Sequence, residues 1–265
     1  MATLSTRSIT PDRDDGPDRW LAALHGIYGA GRNWRSVARS LVDERPEWGA
    51  VLVDLRQHGD SMGFDPPHTI EAAAGDLDRL EVGPVRAVLG HSFGGKVALV
   101  RGRDDGAVEQ VWVIDSTPEA GEPEGSAWDM LELLRDLPDR FDDRDDAVEL
   151  LVERGMARPV ALWMTANLER GDDGYTWRIE LDDMEALLTD FFETDLWDAV
   201  ESPREGLEIH FVRATRSRVL SAEAVGRIRE AGRRTGRVFL HDVEGGHWLN
   251  ADNPDALVEL IAPRL

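Results

Sequence analysis

A chain of 265 residues with 42% hydrophobic content is long enough for one large α/β domain, or two small ones, with a sizeable core; one domain with an insertion is the expectation. It has no cysteine, which excludes disulfides, thiolate metal sites and cysteine nucleophiles and suits a reducing compartment. A net charge of -22 repels polyanions and so argues against nucleic-acid and anionic-membrane partners, leaving small neutral substrates.

The basic residues are almost all arginine, Lys96 being the only lysine, a bias that fits a GC-rich genome or adaptation to salt. The opening segment MATLSTRSITPDRDDG lacks a basic start followed by an apolar core, so no secretory signal is expected, and no apolar run reaches membrane-spanning length. The expectation is a cytoplasmic protein, monomeric or a small homo-oligomer.

Residues 3–9 form a weak strand pattern followed by a Pro/Asp/Gly turn. The apolar run 20–24 predicts a buried strand ending in the loop His25-Gly26-Ile27-Tyr28-Gly29, whose glycines leave a backbone N–H free to be aimed. Asn33 is placed to cap a helix carrying Trp34, Val37 and Leu41 on one face. Residues 51–55 predict a second buried strand, with Asp54 closing it before a polar loop, Arg56 to Ser61. Thr69 then caps a helix with Ile70, Ala73, Ala74, Leu77 and Leu80 on one side.

The stretch VRAVLGHSFGGKVALV, residues 85–100, reads as a strand, a glycine-flanked serine and a helix. Gly90-His91-Ser92-Phe93-Gly94 is the G-x-S-x-G elbow, a sharp strand-to-helix turn that presents a hydroxyl at the end of a parallel sheet. A Cβ at position 90 or 94 would meet the neighbouring strand or the following helix, so only glycine fits. Residues 108–114 predict the next strand, ending in Asp115-Ser116-Thr117-Pro118, and the alternation of strands and helices points to a mostly parallel sheet covered on both sides.

Residues 119–206 change rhythm: SAWDMLELLRDL, DDAVELLVERG, PVALWMTANL and DMEALLTDFFETDLWDAV carry helical spacing, and no strand pattern interrupts them convincingly. The expected organisation is a sheet domain of residues 1–118 and 207–265 with an inserted helical cap, 119–206, packing over the catalytic end. A second subdomain without a role in recognition is the alternative. The sheet resumes at 207–212 and, after a helix at 221–231, at 238–241; Gly245-Gly246-His247 follows, then a helix with Asn253 as N-cap and Pro254 at its first position.

A serine hydroxyl needs a base within hydrogen-bond reach, oriented by a third group. Of seven histidines, His247 alone follows the last strand in a glycine-preceded loop, at the sheet end where Ser92 emerges. His91 is expected to point elsewhere, His25 to brace its own loop, and His58, His68 and His210 to be surface or loop residues. The acid belongs between Ser92 and His247 in the chain, commonly after the next-to-last strand, but that segment, VRATRSRVL, holds no carboxylate. Asp115, at the carboxyl end of the strand after the elbow, is preferred, with Glu223, Asp54 and Asp242 left open. The backbone N–H groups of Ile27 and Phe93 fit an oxyanion hole, with their side chains lining the acyl pocket. No Walker loop, dinucleotide fingerprint or HExxH motif is present, so no cofactor and no metal are expected.

With LHGIYGAGRNW, VDLRQHGDS, GHSFGGKVAL, VIDSTP and GGHWLNADNPDAL in this order, the chain resembles the α/β-hydrolase superfamily over nearly its whole length. Its R-N-W and G-G-K segments are similar to those of small bacterial abhydrolase-type serine esterases, which act on short acyl esters and sometimes acyl-CoA thioesters. The resemblance implies the α/β-hydrolase fold, a small-molecule ester substrate, and use of the acid after the strand following the nucleophile, which favours Asp115. Gln57 departs from the family's usual glycine, and the Arg-rich segment 213–218 lacks the usual late acid. Carbon–carbon bond hydrolysis or cofactor-free perhydrolysis would use the same triad, and a non-catalytic binding or signalling protein could retain the fold.

Overall fold

The structure is a computed structural model that describes residues 2–265. Short Val-, Leu- and Ala-rich runs form β1 (Thr6–Ile9), β2 (Arg19–Leu24), β3 (Trp48–Val53), β4 (Val85–His91) and β5 (Gln110–Ile114). The chain then passes through β6 (Arg140–Phe141), β7 (Leu168–Gly171) and β8 (Gly174–Trp177) before returning as β9 (Glu208–Ala214) and β10 (Val238–Val243). The main sheet has seven strands in the order β1-β3-β2-β4-β5-β9-β10. β1 runs antiparallel to β3, with Thr6 opposite Val53, and every other pairing in this sheet is parallel. The mostly parallel, doubly covered sheet read from the sequence is therefore the observed one.

Helices between these strands are α1 (Arg35–Glu44), α2 (Ile70–Asp76) and α3 (Phe93–Asp104). The stretch between β5 and β9 holds α4 (Ser126–Arg135), α5 (Arg144–Glu153), α6 (Arg158–Met164), α7 (Leu181–Glu193) and α8 (Trp197–Glu201). The chain ends with α9 (Ala222–Thr235), α10 (Leu249–Asp252) and α11 (Pro254–Ile261). Successive strand residues face opposite sides, so each strand feeds two cores and has to be apolar throughout. Ala22, Leu24, Val88, Val111 and Val113 pack with Val97, Val100 and Ile228 on one side; Leu21, Ala23, Leu89, Trp112 and Ile114 pack with Val37, Leu41 and Leu257 on the other.

Three local readings need correction. Between β5 and β9 the structure is not helical alone: β6, β8 and β7 form a small antiparallel sheet in that order. Its strands are two to four residues long, too short to leave a period of two in the sequence, and β6 pairs with a segment more than thirty positions away. Asn33 does not cap α1; its Oδ1 accepts the Ala30 N–H at 2.8 Å and closes the preceding turn, and α1 grows out of a 3-10 turn, Gly31–Trp34. Asn253 stands at the start of α11, but its side chain donates to the Glu244 carbonyl at 2.9 Å rather than capping the helix. Thr69 does cap α2, accepting the Ala72 N–H at 3.1 Å. No helix among the described residues is long and apolar enough to cross a membrane.

Candidate active site

Ser92 joins β4 to α3 with φ 49° and ψ -116°. Its N–H donates to the Ile114 carbonyl at 3.0 Å and its carbonyl accepts from Gly95 at 2.8 Å, which fix the turn between β5 and the helix. A Cβ on Gly94 would lie 2.5 Å from the His25 carbonyl oxygen and 2.9 Å from that of Leu24, and one on Gly90 would overlap the Gly94 carbonyl. Backbone strain is concentrated around this point. Among the described residues, the four non-glycine residues with positive φ are Tyr28 (60°), Gln57 (61°), Ser92 (49°) and Asp115 (45°), and they follow β2, β3, β4 and β5 within a few residues of each strand end. Each such conformation costs about 1–3 kcal/mol, sustained by the surrounding hydrogen bonds.

Asp115 is fully buried, and both of its oxygens are used: Oδ1 accepts the Ala214 N–H at 3.0 Å and Oδ2 lies 2.7 Å from His247 Nδ1. An anionic acceptor at Nδ1 holds the ring proton there and leaves the Nε2 lone pair available. Ser92 and His247 line one cavity of about 600 Å³. The other acids considered are committed elsewhere. Asp54 accepts the N–H groups of Gly31 (2.7 Å) and Asp60 (3.0 Å), Asp242 pairs with Arg213 at 2.8 Å, and Glu223 sits exposed in the first turn of α9.

The histidines depart from expectation in one respect that matters. His91 does not point away: its ring lies 4.5 Å from that of His247, and its Nε2–H donates to the His247 carbonyl at 2.8 Å. Burial, reinforced by His247, pushes its pKa well below the usual histidine range. It is a neutral brace under the His247 loop, and a Cβ on Gly26 would come within 2.9 Å of its Nδ1. His25 braces its own loop as expected, with Nδ1 donating to the Gly26 carbonyl at 2.7 Å and Nε2 accepting the Leu55 N–H at 2.9 Å; burial lowers its pKa to about 4. His58 and His68 lie in the loop between β3 and α2 as expected but are buried there, and His210 is buried on β9. His58 packs 4.9 Å from the His25 ring, His68 Nε2 lies 3.2 Å from Asp183 on α7, and His210 stacks 4.1 Å from Trp112. The polar loop carrying His58 and His68 looks solvated in sequence, but here it is covered by helices such as α7 contributed from far along the chain, whereas His210 is held between the Trp112 and Phe239 rings of the neighbouring strands.

Ile27 lines the cavity, and neither its N–H nor that of Phe93, the first residue of α3, has a protein acceptor among the described residues. The Phe93 side chain does not line the cavity; it is buried between His58 (6.1 Å) and Phe191 of α7 (6.2 Å). The remaining wall is mostly apolar: Tyr28, Met130 and Leu133 of α4, Met156, and the paired rings of Trp163 and Trp248 at 5.7 Å. The Tyr28 hydroxyl donates to the Ala127 carbonyl at 3.0 Å, tying α4 to the loop after β2. Gln57, at its strained φ, accepts the Phe64 N–H at 3.0 Å and donates to Asp183 of α7, contacts that a glycine would forgo. No cluster of His, Asp and Glu suited to a metal ion occurs among the described residues.

The model of the "Alpha/beta hydrolase family" matches residues 22–260. The sn-1-specific diacylglycerol lipase ABHD11 of Danio rerio is 27% identical over 266 residues, spanning 96% of this chain and 81% of the relative. Among solved structures, a marine microorganism esterase superposes with a TM-score of 0.82 at 24% identity over 100% of both chains. An E-2-(acetamidomethylene)succinate hydrolase superposes with a TM-score of 0.76 at 21% identity, covering 98% of this chain and 94% of its own.

Proposed function

The chain belongs to the α/β-hydrolase family, and on that premise we propose that it hydrolyses carboxylic esters, and acyl thioesters of similar shape, through an acyl-enzyme formed on Ser92. In this mechanism His247 Nε2 takes the proton as Ser92 Oγ attacks the carbonyl carbon, and Asp115 stabilises the imidazolium through the bond at Nδ1. The developing oxyanion is received by the N–H groups of Ile27 and Phe93. Collapse of the tetrahedral species breaks the ester bond and His247 protonates the leaving alkoxide; water then attacks the acyl-enzyme with His247 again as base, and that proton passes to Ser92 Oγ as the acyl bond to it breaks and the acid leaves.

The observation that carries this reading is the buried Asp115 carboxylate 2.7 Å from the ring of a histidine that shares a cavity with an elbow serine. The apolar cavity of about 600 Å³ fits acyl chains of short to medium length. The ester substrate named for the diacylglycerol lipase relative supports the same bond type. The test is burst release of p-nitrophenol from a p-nitrophenyl ester together with fluorophosphonate labelling. Both are expected to vanish in Ser92→Ala, and wild-type turnover in that variant would overturn the mechanism.

A further inference from the structure

The one lysine of this acidic chain is fully buried on α3, one helical turn beyond Ser92. Lys96 Nζ donates to three backbone carbonyls, those of Glu119 (2.7 Å), Phe191 (2.6 Å) and Thr194 (2.6 Å), and lies 4.5 Å from the centre of the Phe191 ring. An ammonium has three N–H bonds, so all of them are used. Two of the acceptors close the C-terminus of α7, where unpaired carbonyls and the negative end of the helix dipole favour a cation. The third lies four residues beyond Asp115, on the segment leaving β5.

α7 does not line the cavity, but it supports the helix that does. Phe192 of α7 meets Trp128 of α4 at 6.4 Å, and Arg135 of α4 pairs with Glu185 of α7 at 2.7 Å. Met130 and Leu133 of α4 form part of the cavity wall. We propose that Lys96 is a positioning residue for the ester hydrolysis argued above: its ammonium pins α7, and through it the α4 wall, to the helix that carries Ser92, and so sets the fit of the acyl group.

The charge on Lys96 is held in balance. Burial pulls its pKa down from 10.5 to about 8, against the carboxylates that face it: Asp195 just beyond α7, Asp190 on α7 and Glu119 after β5. No other ionisable residue lies within a turn of it on α3. Above this midpoint the neutral amine keeps two N–H bonds for three carbonyls, one buried carbonyl is left unpaired, and the seat of α7 loosens.

Because there is one lysine, incorporation of isotope-labelled lysine gives a single Cε resonance whose titration can be followed in the intact protein. Its midpoint is expected near 8 rather than 10.5. Across the same midpoint, KM for p-nitrophenyl hexanoate should rise by about fivefold, the scale of one lost hydrogen bond, with kcat changing less than about twofold and the acetate ester little affected. Lys96→Arg, charged at every accessible pH, should flatten the KM profile, and Lys96→Met should hold KM at the alkaline value throughout. A Cε midpoint at the ordinary lysine value, a KM that ignores the midpoint, or a Met variant with wild-type KM would each overturn the proposal. If neither variant folds, the wild-type comparison of Cε titration with KM decides alone. An absence of ester turnover in the wild type would instead remove the activity reading while leaving the titration measurable.

Discussion

Asp115 is held at φ 45°, in a region where a residue with a Cβ is strained, because both of its oxygens and its N–H are bonded. That fixation lets it serve one histidine tautomer, so Asp115→Asn should fold and yet lower kcat by roughly 10⁴-fold, the scale seen when an orienting carboxylate becomes an amide. Asp54→Asn is the contrast: Asp54 binds the N–H groups of Gly31 and Asp60, so its loss should lower the melting temperature while active-site titration returns a near-normal rate per folded molecule. That Ser92 and His247 would meet at one cavity was readable from the sequence because a glycine-flanked serine and a histidine after the last strand both fall at the carboxyl end of the sheet. His91 was not, because its contact with the His247 carbonyl spans 156 positions and no local pattern encodes it.

At the level of elements, α3 carries the site and its seat is set by glycine. Alanine at Gly94 would drive a methyl group to 2.5 Å from the His25 carbonyl of the loop after β2, forcing the helix off the sheet. Gly94→Ala is therefore expected to cost more than about 3 kcal/mol in chemical denaturation, or to prevent folding, whereas Gly106→Ala, with nothing within 4 Å, should stay within about 0.5 kcal/mol. A Gly94→Ala protein of wild-type stability would show that the helix can shift without loss. The parallel strands were legible because a strand covered on both sides must be apolar throughout. The β6-β8-β7 sheet was hidden because Leu168-Glu169-Arg170-Gly171 has no apolar alternation and the alternation of Tyr175 and Trp177 in β8 spans only four residues.

Across the whole molecule, histidine burial gives the fold a pH dependence that its net charge would not suggest. Burial lowers His25 to about 4, and His58 and His210 to about 3, from 6.5. Between 6.5 and these folded values the unfolded chain binds more protons, so stability rises with pH and is lost as pH falls below 6.5. Each such group contributes a slope of up to about 1.4 kcal/mol per pH unit, while protonation of carboxylates relieves self-repulsion mainly below about pH 4.3. Thermal melts should therefore shift downward from pH 7 to pH 5; an upward shift over that interval would mean that self-repulsion dominates.

The solitary lysine also bears on how the protein can be handled. Apart from the histidines every other basic side chain is a guanidinium, and the lone ε-amine is enclosed within the fold. Supports and dyes that couple to surface amines would find no lysine side chain to react with while the protein stays folded, so side-chain attachment would fall to the carboxylates that crowd its exterior.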